Sequence, residues 1–262
     1  MKKLLIALLF IMSAQLNAQQ KTALIYDNNA VVRKVSNFNA IKVSSAIDLY
    51  LTQSSSNKVA VSASNDEVID QIITEVEGGV LNISLRKNDS WLNWKKWGNY
   101  KIKAYVSIKD INAITALGAS DVHIINTLET PKIKIKLSGA SDLSGEINAQ
   151  TIIYDLSGAS NCNNQVVANA IAIKGEGATK IELSGNVDDL SVIVSGASNA
   201  KLYDLYSKAA TLQATGASNI QASVAEILKA NAAGASNINY KGSPNVNEHN
   251  SSGASTIKHK KE

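Results

Sequence analysis

All three tryptophans of the 262-residue chain, Trp91, Trp94 and Trp97, fall within seven residues, followed by Tyr100 and interleaved with Lys95, Lys96 and Lys101. Exposed aromatic faces beside hydrogen-bonding groups suit sugar rings or a protein partner. The same residues would also serve as a loop folded over an open end or flank of the body. The sequence leaves both uses open, and neither involves bond-making.

Other reactive types are sparse. Asp121 and Asp142 each follow a repeated tripeptide by one position, so stacking would bring their carboxylates close enough to share a cation or a proton. The ordinary role of such a residue is to cap its own turn, and no Gly-Gly-x-Gly-x-Asp calcium repeat occurs. Lys136, Asp155 and Lys174 form a column of alternating sign that reads as surface pairing. His123, His249 and His259 share no motif from which a metal site or a nucleophilic triad can be built. Cys162 is the lone cysteine and lies in an apolar column between Leu143 and Ile181, the place of a small buried hydrophobe. The residues thus nominate no catalytic group and no cofactor, with Asp121 and Asp142 as weak metal candidates.

What must position these residues is a repeat. Gly-Ala-Ser or Gly-Ala-Thr recurs at Gly118, Gly139, Gly158, Gly177, Gly196, Gly216, Gly234 and Gly253, at intervals of 21, 19, 19, 19, 20, 18 and 19 residues. Such a period marks a solenoid whose coils bury their apolar sides on each other. Before the glycine, Ile133, Ile135, Leu137 and Ile152, Tyr154, Leu156 alternate as a strand does; four residues after it run Val122, Leu143, Cys162, Ile181, Ala200, Ile220, Ile238 and Ile257. Nineteen residues are too few for a strand plus a crossover helix but suit about three short strands, which predicts an all-β parallel β-helix of about 19 residues per coil. Gly marks a bend, and the Ala and Ser after it are small enough to stack on their equivalents.

Lys2 and Lys3 followed by apolar Leu4–Met12 and small residues up to Ala18 read as a secretory signal peptide over 1–18. That run is too short to span a membrane, and no second candidate follows. One cysteine permits no internal disulfide. The formal charge of +4 falls to +2 without Lys2 and Lys3, too little to point to nucleic acid. After an extension over 19–37, residues 38–113 are expected to form a β-rich N-terminal cap. Within it, strands are expected near 38–43, 47–51, 59–63, 80–85 and 101–108, and a short helix capped by Asn65-Asp66 would carry Val68, Ile69, Ile72 and Ile73. The repeats fill 114–241. Residues 242–262, with Asn247, His249 and Ser251 in place of hydrophobes, read as a polar cap or frayed tail.

With Phe38-x-x-Ile41-x-Val43, the Asn65–Ile73 segment, Leu81-x-Ile83 and the Ser-Gly-Ala-Ser runs at Ser138, Ser157 and Ser195, the chain resembles the auto-transporter adhesin family with a head GIN domain. The resemblance covers about residues 38–245. It implies a right-handed parallel β-helix, an exported location and no known catalytic residues. No C-terminal stretch is patterned as a membrane barrel, so self-secretion is not expected. The expected role is therefore a non-enzymatic binding module of the cell envelope, in the periplasm, on the outer surface or secreted, whose partner is a glycan or a protein. The alternatives are a purely structural envelope protein and a polysaccharide lyase or glycosidase built on the same architecture. The second fits poorly, because Arg33 and Arg86, the only arginines, lie outside the repeats.

Overall fold

A computed structural model describes residues 26–86 and 101–261. The Gly-Ala-Ser segments punctuate long strands: β10 (Leu128–Gly139), β11 (Asp142–Gly158), β12 (Asn161–Gly177), β13 (Lys180–Val194), β14 (Asn199–Ala214) and β15 (Asn219–Gly234). Each pairs in parallel with the next, largely at a shift of 19 residues, so Leu143, Cys162, Ile181, Ala200, Ile220 and Ile238 stand in one line. All six are buried, as are Ile133, Ile135 and Leu137 and their counterparts along the coils. The result is a β-solenoid of about eight turns at about 19 residues per coil. The expected three short strands per coil merge into one long strand. Most bends lie at positions that keep pairing with the coils on either side, so the ladder is interrupted at the glycine corner and at a few bulges within β13, β14 and β15.

That corner explains its tripeptide. Gly158 has φ +75°, and a Cβ added there would lie 2.6 Å from the carbonyl oxygen of Gly139 one coil away. This close approach lets the N–H of Ala159 donate to Gly139 O at 2.7 Å, a contact repeated from coil to coil. The following Ser is fully buried and satisfies itself by donating to the carbonyl three residues back, as Ser160 does to Ser157 O at 3.0 Å and Ser236 to Ala233 O at 2.9 Å.

The solenoid begins before the first Gly-Ala-Ser. β2 (Ala40–Val43) and β3 (Ile47–Gln53) stack in parallel on β8 (Ala113–Gly118) and β9 (Val122–Ile124). Outside them, β6 (Val80–Leu85) and β7 (Ile102–Ile108) form a further rung. Antiparallel strands then cover the end: β5 (Ile72–Glu77) on β6, β4 (Lys58–Ala63) on β7, and β1 (Val31–Arg33) on β4. The edges of β6 and β7 are thus paired, and the outermost strands are the short β1 and β5. The helix α1 is a single turn, Asp66–Ile69, with Asn65 accepting from Glu67 N; Ile72 and Ile73, expected in the helix, start β5 instead. Their alternation pairs with β6, and that tertiary pairing outweighs a marginal helix.

At the other end β16 (Asn237–Lys241), β17 (Asn245–Gly253) and β18 (Thr256–His259) continue the parallel stack, with Gly253 opposite Gly234. Residues 245–259 are thus a hydrogen-bonded final coil and not a frayed tail. Among the described residues no further coil stacks on it, and Val246 is exposed and Ile257 only partly buried.

Candidate functional site

Trp91, Trp94, Trp97 and Tyr100 lie outside the described residues. Their segment joins β6 to β7, and its flanks are tied down by Arg86 N to Gln71 O at 2.8 Å and Ser64 N to Lys101 O at 3.2 Å.

Asp121 and Asp142 do stand in register, because Val122 pairs with Leu143. The two extra residues of the 21-residue interval fall later, between the pairs His123–Ser144 and Leu128–Ile147. There Asn126 exchanges hydrogen bonds with both Gln53 N and Gln53 O. Asp48 precedes the Leu49–Val122 pair and extends the column, which continues through Asn161. Burial pushes the Asp121 carboxyl above its ordinary value, and the Asp142 and Asp48 carboxylates push it the same way; a hydrogen bond from the Asp142 backbone and the nearby His123 oppose them. Asn161 Nδ2 donates to Asp142 Oδ1 at 2.7 Å, and Asn219 to Asn199 Oδ1 at 3.0 Å further along. The column is an inter-coil side-chain ladder. No group of three or more metal-ligating side chains forms a cation site among the described residues.

Within the core, Cys162 Sγ donates to Asn164 Oδ1 at 2.9 Å, Tyr154 Oη donates to the same oxygen at 3.3 Å, and Asn164 Nδ2 donates to Gly145 O at 2.9 Å. Burial drives both the thiol and the phenol well above their ordinary values, so neither is a nucleophile at neutral pH. Lys136, Asp155 and Lys174 stand opposite one another on successive strands, and Lys174 makes its ion pair with Glu176 at 2.8 Å.

An open surface bearing an exposed aromatic ring lies on the flank of the repeats, where the sequence nominated nothing. β14 carries three residues, Tyr203–Leu205, that have no partner on β15, since Leu202 pairs with Ala222 and Tyr206 with Ser223. Bulges of this kind re-aim side chains. Leu205 stays buried while Tyr206 is 67% exposed. The bulge is held by Ser223 Oγ donating to Tyr203 O at 2.6 Å and by Ser207 Oγ donating to Ser223 O at 2.7 Å. Lys241 Nζ sits 4.9 Å above the Tyr203 ring. Two adjoining depressions of about 360 Å³ each meet at Tyr206, Ser207 and Ala225 and together reach from Asn148 to Lys241. The signal for this bulge was in the intervals: a 20-residue coil followed by an 18-residue one leaves unmatched residues on the longer strand. Another depression, about 590 Å³ near Asn57 and Lys109, is less free, for the Asn57 amide donates to Phe38 O and accepts from Lys109 N.

This is a parallel β-solenoid with an open groove of mixed apolar and polar lining on one flank. Residues 37–244 match the family described as "Putative auto-transporter adhesin, head GIN domain", and the chain belongs to that family. Among solved structures it is similar to a "putative lipid binding protein" from Parabacteroides distasonis ATCC 8503, at 22% identity and TM-score 0.79 over 89% of this chain and 97% of that one. It is also similar to a "putative adhesin" from Bacteroides fragilis NCTC 9343 (23% identity, TM-score 0.65, 89% of this chain and 98% of that one). A "putative adhesin" from Parabacteroides merdae ATCC 43184 is similar as well (18%, TM-score 0.75, 88% and 95%). At such identities the likeness establishes a shared fold. No curated protein matches the sequence.

Proposed function

We propose that this protein is exported and acts as a non-enzymatic binding module of the cell envelope, holding a glycan or protein ligand on the groove beside Tyr206. The observation that carries this reading is a large aromatic ring standing exposed on an outward position of the flank, next to the bulge at Tyr203–Leu205. A rigid rod of stacked coils is suited to presenting such a surface without a cost in ordering. The family description and the neighbours named as adhesins support a binding role, and export rests on the Lys2-Lys3 and Leu4–Met12 leader pattern.

The test is direct. Protease shaving of intact cells reports whether the folded chain is at the surface or behind the outer membrane. Purified full-length mature protein, mixed with isolated envelope fractions, is expected to co-sediment with one of them and to lose most of that retention on Tyr206→Ala. Absence of retention by every fraction would overturn the binding role.

A further inference from the structure

We propose that the flank groove takes a neutral, linear polysaccharide laid along the solenoid axis, with one sugar met by each coil. The proposal rests on the binding reading above and specifies its ligand. Asn148, Val167, Asn186 and Tyr206 occupy matched register on β11, β12, β13 and β14, so they stand in a row along the axis. Neighbouring members are one strand spacing apart, about 4.8 Å, close to the rise of one sugar in an extended chain. A ligand that repeats along its length therefore meets a surface that repeats in step with it.

The chemistry of the row selects the ligand. The side-chain amides of Asn148 and Asn186 are exposed and make no hydrogen bond with any described residue, whereas Asn161, Asn199, Asn219 and Asn237 are engaged in the corner ladder. Free amides supply paired donors and acceptors for hydroxyl groups. Tyr206 adds a flat apolar face with a polar tip, the form that stacks on a sugar ring. Along the parallel column two residues on, Asp188 and Lys208 neutralise each other at 2.6 Å. An uncharged ligand is thus favoured over an acidic one. The strands beneath are paired on both sides, so a peptide has no free edge to extend. The groove is open, with Val167 and Ala168 between the amides, so an acyl chain laid in it would stay largely in water whereas the apolar face of a sugar ring can rest there.

The experiment uses the full-length mature protein and defined oligosaccharides of about two, four and six neutral sugars, with polygalacturonate of matching length as the anionic comparison and phosphatidylglycerol vesicles as the lipid one. Calorimetry is expected to show affinity rising with length for one neutral series and little binding to polygalacturonate or vesicles. Tyr206→Ala should weaken that binding by about tenfold and Asn186→Ala by several-fold, while Tyr206→Phe restores most of it. Tyr206 is exposed, so an unchanged melting temperature confirms that the variants fold. Binding that survives Tyr206→Ala unaltered, or that prefers polygalacturonate or vesicles, overturns the proposal. A protein retained by envelope fractions but by none of the neutral sugars also overturns it and leaves the binding role standing; a protein retained by neither overturns both.

Discussion

Cys162 and Asn164 meet inside the solenoid, the thiol donating to the amide oxygen at 2.9 Å with both side chains shut away from water. The same oxygen takes the Tyr154 hydroxyl, so a single amide satisfies two buried donors. Asn164→Ala strands both and is expected to cost about 1–3 kcal/mol in denaturant unfolding. Cys162→Ala removes a donor with its group and should cost roughly 1 kcal/mol. The double variant Tyr154→Phe/Asn164→Leu, which removes both sides of the phenol bond, should recover part of the Asn164→Ala loss. Native protein should resist a thiol reagent until unfolded; rapid labelling would refute the burial.

Two glycines separate backbone strain from collision. Gly78 has φ +57° and open space where a Cβ would go, whereas Gly158 has φ +75° and a neighbouring carbonyl oxygen at 2.6 Å. Gly78→Ala is expected to cost about 1–2 kcal/mol, the charge for a left-handed residue alone. Gly158→Ala should cost more by at least about 1 kcal/mol, because the coil spacing must open against paired strands on both sides. Equal losses would show that the corner has slack.

Asp121 gives a pH signature. Its folded carboxyl titrates above the ordinary 3.8 because of burial first, then the Asp142 and Asp48 carboxylates, with His123 acting in the opposite sense. The folded state therefore holds that proton more tightly than the unfolded chain, so stability falls as pH rises from about 3.8 through the folded value and stays lowered above it. Asp121→Asn removes this penalty and offers an amide to the ladder. The variant should melt higher than the parent at pH 7, and the two should converge as pH falls below 3.8. A difference independent of pH would remove the carboxylate column as its cause.

Thr179 takes the place that serine holds in the other corners, and its hydroxyl is buried without a hydrogen-bond partner among the described residues. An unmet hydroxyl costs about 1–3 kcal/mol. Thr179→Val, of nearly the same shape, should therefore raise the melting temperature or leave it unchanged. A clear loss would mean that the hydroxyl is satisfied in solution.

The repeat was legible in the sequence because it is written in local rules. Glycine at a fixed interval marks the one corner where the backbone of Gly139 meets Gly158, and period-two alternation marks which face of each strand is buried. These settle the architecture, the register of Val122 with Leu143 and the burial of Cys162 without any knowledge of distant contacts. Three things were decided only in three dimensions. The stacking of β2–β3 between β6–β7 and β8–β9 departs from chain order, and no local pattern encodes that order. Ile72 and Ile73 became a strand because β6 was there to pair with them. The groove at Tyr206 arises from a mismatch between two coils: each length, 20 and then 18 residues, is unremarkable by itself. Only when β14 and β15 are laid side by side do Tyr203–Leu205 lose their partners next to the outward-facing Tyr206, since pairing is a property of two strands and not of one.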